Sequence, residues 1–173
     1  LFLIGIMLSS NIIHYKMINQ IYTFFTLEMV YLWLNLGVLP FWFVLIVFPK
    51  SKICGVFVAS IFPIFILSIA YAYLLYVAHI GGYDFLRNFR LYLGFDEISN
   101  LFENQSFLIL FWIHFLAMNL FCGGWIVKDS QKFGINKILI SFPLLITYFI
   151  GPIGLTIYWF LRIFYAKRIN LYD

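Results

Sequence analysis

Long apolar runs separated by short polar ones dominate the chain. Four runs reach the roughly 20 apolar residues that a helix needs to cross a bilayer. They are Thr26–Phe48, ending at PKSK; Ile53–Val77, ending at HIGG; Phe107–Val127, ending at KDSQK; and Ile138–Phe164, ending at YAKR. Phe, Ile and Tyr favour strands in water. In hydrocarbon an open sheet would leave backbone groups unpaired, so the pattern predicts four helices. The links PKSK and KDSQKFGIN are short, which makes the helices they join antiparallel neighbours. The expected fold is an all-α integral membrane protein, four transmembrane helices in an antiparallel bundle. Between helices 2 and 3 lies GGYDFLRNFRLYLGFDEISNLFENQ, where Phe85, Phe89, Tyr92 and Leu93 recur at helical spacing among Arg87, Arg90, Asp96 and Glu97. That spacing predicts an interfacial amphipathic helix, with a plain loop as the alternative.

Residues 1–25 are expected to form an apolar, interfacial or extraneous leader. Their apolar run is about 13 residues, short for a span, and lacks the basic start and small-residue cleavage site of a signal peptide. The membrane domain is then 26–165, followed by a polar tail, 166–173. Composition agrees with the class. Of 173 residues 64% are hydrophobic and 10% charged, against about a quarter charged in soluble domains. Such a chain has too little interior to hide its apolar side chains from water. Lipid is therefore the expected partner, and a net charge of +4 spread along the chain excludes a nucleic-acid surface. Cys54 and Cys122 form neither a disulfide framework nor a metal cluster, so no cofactor and no metal are expected.

With four crossings, one face of the membrane receives Lys16, Arg87, Arg90, Arg162, Lys167 and Arg168, and the other Lys50, Lys52, Lys128, Lys132 and Lys137. Six against five sets no orientation. Asp129 is the acidic residue of the second face. Polar side chains at depth are costly and usually face other helices or a cavity. From the helical rise, His114 lies roughly 10 Å and Asn35 roughly 13 Å below the first face. Glu28 opens the first span, His79 closes the second and Arg162 nearly closes the fourth. The four-span reading gathers all five into one layer of the bundle, as a core site would require. The bland reading makes Glu28, His79 and Arg162 headgroup-wetted interface residues, and Asn35 and His114 helix-to-helix hydrogen-bonding groups.

Within HFLAMNLFCGGW, Asn119 and Gly123 are four apart on one stripe, with Gly124 beside them. Small residues at such spacing admit a close neighbour, so Gly123 and Gly124 are expected in packing. Pro40 in the first span, and Gly151, Pro152 and Gly154 in the fourth, are expected to kink their helices. Broken helices also occur at transporter sites, but no inverted repeat is visible.

WLNLGVLPFWFVLIVFP, then HFLAMNLFCGGWIVKDSQKFGI, then FPLLITYFIGPIGLTIYWFLR, in this order and separation, resemble the abscisic-acid-deficient-4-like family. That resemblance carries Asn35, Pro40, His114, Asn119, Gly123, Trp125, Asp129, Gly151, Pro152, Gly154 and Arg162. The chain departs from the family pattern at Asn119, where aspartate is usual, and at Gly124, where arginine is frequent. The resemblance implies a multi-pass protein of a bacterial inner membrane or plastid membrane, tied to neoxanthin formation. It implies binding or isomerisation of a carotenoid, xanthophyll or similar lipid-soluble ligand. Epoxide opening with proton loss needs an acid at the epoxide oxygen and a base. His114, with Arg162 or Glu28, is the candidate for the acid role. Asn35, Asn119, Trp125 and His79 are candidate substrate-binding residues. Pro40, Gly123, Gly124, Gly151, Pro152 and Gly154 are structural. The alternative is a non-catalytic membrane subunit or assembly factor with a membrane-protein partner. Haem or small-solute handling is a third class, against which His79 and His114 differ in expected depth.

Overall fold

A computed structural model describes residues 26–167, so the expected leader and residues 168–173 of the expected tail lie outside the described residues. The chain divides into two compact units, residues 1–34 and 35–173. Helix α1 (Leu27–Val47) begins in the first, after Thr26, whose Oγ1 accepts the Met29 N–H at 3.3 Å. The carboxylate of Glu28 in the first turn suits the positive end of the helix dipole.

Among its described residues the second unit holds helices joined by turns, and no strand. The helix α1 continues through Pro40 without ending. A turn leads to a short π-helical segment, Cys54–Val58, and a bend into α2 (Phe62–Ile80). Pro63 lies in the first turn of α2, where the missing N–H has no intrahelical partner to lose. The polar link expected to hold one amphipathic helix holds two short ones instead. A 3-10 segment, Phe85–Tyr92, is capped by Asp84, and α3 (Phe95–Phe102) follows. Phe89, Tyr92, Leu93 and Phe95 are strongly exposed there, an apolar surface that suits a membrane interface. Next come α4 (Gln105–Lys132), α5 (Lys137–Phe149) and α6 (Gly151–Ala166). Asn104 caps α4 and Asn136 caps α5, each side chain accepting a first-turn N–H.

Among the described residues, three helical stretches are long and apolar enough to cross a membrane: Leu27–Val47, Cys54–Ile80 and Gln105–Lys132. Half of the most apolar window of α4 is buried, against 28% for Cys54–Ile80. The helix α4 is central because α2, α3, α5 and α6 all pack on it.

The fourth apolar stretch is not one rod. It breaks at Ile150, whose φ −139°, ψ 82° is extended, and Gly151–Pro152 then opens a new helix. Contacts along α4 fix the direction of each half. The α5 helix starts just beyond the end of α4, and its far end meets Asn119 through the Tyr148 carbonyl. The α6 helix then returns, so that Tyr158 and Arg162 reach Asp129 in the last turns of α4. Thus α5 runs antiparallel to α4 and α6 parallel to it, and the two form a folded hairpin. The expected single crossing over Ile138–Phe164 assumed that an unbroken apolar run keeps its direction, and Ile150 reverses it.

The hairpin closes through Gly154. A methyl group on it would overlap Thr147, lying 2.6 Å from that residue's Cα. The obstacle is backbone, not a movable side-chain end. Gly154→Val is therefore expected to lose about 3 kcal/mol, or roughly 6–12 °C in melting temperature. Gly37→Ala, where an added methyl meets nothing within 4 Å, should hold or gain stability. Thermal melting of both variants in detergent checks the contrast.

Candidate functional site

The most polar buried cluster of the described residues joins α4 to α6. Asp129 Oδ2 accepts both from Arg162 Nε and from Tyr158 Oη, each at 2.7 Å. The Arg162 side chain is 1% exposed and that of Asp129 9%. The guanidinium also stacks over Phe133, 4.8 Å from the ring centroid, and Trp125 meets the Tyr158 ring edge-on at 5.7 Å. A buried charge needs this kind of enclosure, because an ion pair repays desolvation only when its remaining hydrogen-bonding groups are met. Neither Tyr158 nor Phe133 is among the expected site residues, and Asp129 is expected as the acidic residue of its face and as a position that the family resemblance carries. The combination of one acid on that face with an arginine inside an apolar run was the signal available.

A second cluster sits at the hairpin tip. Asn119 is buried and its Nδ2 donates to the Tyr148 carbonyl at 3.4 Å. A methyl on Gly151 would overlap the Asn119 amide oxygen, so the glycine admits this contact. Gly123 faces the Trp42 ring, 2.9 Å from where a methyl would stand, and Gly124 faces the Ala59 backbone. Asn35 accepts from Trp112 Nε1 at 3.3 Å, which ties α1 to α4.

These positions correct the expected polar layer. Arg162 does not join His114; it lies beside Asp129, roughly 22 Å further along α4 by helical rise. The four-span reading had carried it across the membrane, whereas the hairpin returns it. His79 stacks on Phe85 at the other end of the second unit, with 6.2 Å between ring centroids. Glu28 is exposed at the start of α1. His114 is exposed and makes no hydrogen bond to a described residue. It stands on a stripe of α4 formed by Phe111, His114, Met118, Phe121 and Trp125, at alternating spacings of three and four. The first four are exposed and Trp125 is half-buried. Trp125 lines two apolar clefts. One, of about 210 Å³, includes Ser60, Pro63 and Phe121. The other, of about 160 Å³, is formed with Leu155, Thr156 and Trp159. Beside it Trp159 Nε1 is buried without a hydrogen-bond acceptor among the described residues. No group of three metal-binding side chains occurs among them.

Removing one member of the buried pair strands the other. Asp129→Leu is expected to lose about 3–5 kcal/mol, and Asp129→Leu with Arg162→Met to recover most of it. Tyr158→Phe should cost about 1.5–3 kcal/mol, the range for a hydrogen bond to a charged group. Melting temperatures of the three variants in one detergent check this order.

The sequence model of a family described as ABA DEFICIENT 4-like matches residues 6–158. The match includes His114, Asn119, Asp129 and Gly154, takes in part of the expected leader, and stops before Arg162. Protein ABA DEFICIENT 4, chloroplastic, from Arabidopsis thaliana is 30% identical over 99 residues, 56% of this chain and 44% of that protein. The chain thus aligns with less than half the length of that curated relative. No solved structure matches. The family match covers most of the sequence, and on it the chain belongs to the ABA DEFICIENT 4-like family.

Proposed function

We propose that the protein is a multi-pass integral membrane protein with three crossings and a re-entrant hairpin, and that it binds a carotenoid, xanthophyll or similar lipid-soluble molecule along α4. Length supports the hairpin reading. Thirteen residues of α5 span roughly 20 Å, less than the roughly 30 Å of a hydrocarbon core. The observation that carries the ligand reading is the α4 stripe. A helix otherwise enclosed by its neighbours leaves one line of large apolar side chains uncovered, with an imidazole set into it. Such a group facing hydrocarbon is costly unless something polar meets it. From Phe111 to Trp125 the stripe is roughly 21 Å long, which suits a rod-shaped polyene. The family's tie to neoxanthin formation agrees with that shape, and the chloroplastic relative with a plastid or bacterial membrane.

In this reading His114 meets the oxygenated end of the ligand, and Trp125 with Trp159 holds the other end. If the ligand is an epoxide, His114 gives a proton to its oxygen as the C–O bond breaks, and the proton lost from a ligand carbon returns to the imidazole, so that the step is an isomerisation. Arg162 has no part in that step, because its charge is committed to Asp129. The pigment test is direct. The chain purified from a carotenoid-making host should carry xanthophyll in stoichiometric amount, and Trp125→Ala should lose most of it. His114→Ala should keep the pigment while abolishing its conversion. A well-folded, pigment-free preparation would sink the ligand reading and favour a non-catalytic membrane subunit. Topology is tested separately. With Cys54 and Cys122 replaced by serine, Lys132→Cys and Lys167→Cys should react with an impermeant maleimide from the same side. Asp96→Cys should react from the opposite side.

A further inference from the structure

The two ends of the second unit differ in charge. At the end where α4 stops lie Lys50, Lys52, Lys128, Lys132, Lys137 and Lys167, together with the Arg162–Asp129 pair. Among the described residues Asp129 is the acidic residue there, and its carboxylate is taken. The opposite end has Arg87 and Arg90 against Asp84, Asp96, Glu97 and Glu103. Loops rich in lysine face the side from which the chain is inserted, where anionic lipid is also concentrated in cytoplasmic leaflets.

Two loops at the basic end are held together. Gln131 Nε2 donates to the Pro49 carbonyl at 2.6 Å, and Ser141 Oγ lies 3.4 Å from the Ile46 carbonyl. Gly134, at φ 65°, turns the chain sharply after α4. Between the loops opens a cleft of about 550 Å³. One wall carries Lys50 and Ser51, the other Asn136 and Lys137, and Val47 and Phe48 form its apolar side. Neither lysine forms an ion pair with a described carboxylate.

We propose that this cleft binds the phosphate of an anionic phospholipid. Two ammonium groups on separate loops bracket the anion, and the Ser51 hydroxyl and Asn136 amide add donors of the right reach. The apolar side decides the source of the phosphate. Val47 and Phe48 are exposed at the end of α1, where they adjoin acyl chains, and a free inorganic anion has no use for them. The site is independent of the pigment reading, since it uses none of the α4 stripe.

Native mass spectrometry of the full chain, titrated in mild detergent with phosphatidylglycerol or phosphatidylcholine, tests the proposal. The expected result is one tightly held phosphatidylglycerol. Lys50→Gln with Lys137→Gln should weaken it by about 30-fold, to the phosphatidylcholine level. Lys50→Arg should retain binding, and so should Lys167→Gln, which keeps the cleft intact. Melting temperatures of all variants should stay within those of the parent. Millimolar inorganic phosphate should not displace the lipid. Equal retention of the two lipids by the parent chain would overturn the site. So would an unchanged affinity in the double variant, or displacement by inorganic phosphate.

Discussion

A guanidinium that is 1% exposed beside one carboxylate determines where the chain's last helix ends. Arg162 sits within FLRIFYA, where no neighbour in sequence can compensate its charge. Leaving it in hydrocarbon without a partner is among the most costly arrangements available to a membrane protein. Asp129 is the partner, and it lies in the last turns of α4. The α6 helix must therefore return to that end, which requires a reversal near Ile150. The reversal in turn requires Gly154 to pass close to Thr147 and Gly151 to pass close to Asn119. Local backbone geometry, small-residue placement and a buried charge all require the same hairpin. Agreement of this kind between levels is what lets a sequence specify one structure.

The legible part of the fold was the part set by length. Three apolar runs long enough to cross a bilayer emerge as helical stretches, the second with a bend after its π-helical start, because hydrocarbon leaves the backbone no alternative. The family pattern was equally legible. The direction of the fourth run was not. Apolar content indicates that residues 138–164 avoid water, but a hairpin and a rod avoid it equally well. Gly151 and Pro152 were visible as an interruption, yet a kink and a reversal have the same local signature. The deciding information was a contact 33 residues apart, and a sequence read alone contains no such distance. The misplacement then spread. It moved Arg162 to the wrong end, built a five-residue polar layer that the structure divides, and made the basic residues look evenly shared. With the hairpin in place, the charge asymmetry of the two ends becomes pronounced.

Asn119 and Gly124, where the family resemblance implies aspartate and arginine, are neutral here and sit at different contacts, Asn119 at the hairpin tip and Gly124 against the Ala59 backbone. Asn119 donates to a backbone carbonyl of α5, Tyr148. An aspartate there would set acceptor against acceptor unless it were protonated. With both groups neutral here, the tip is held by a plain amide donor and needs no counter-charge in the membrane interior. The same economy leaves the interior of this chain with one ion pair among its described residues, at the basic end. On the outer stripe of α4, by contrast, His114 is an exposed titratable side chain. One helix thus presents two different faces: Asn119 and Gly123 bind it to its neighbours, while His114, on the other side, stays exposed.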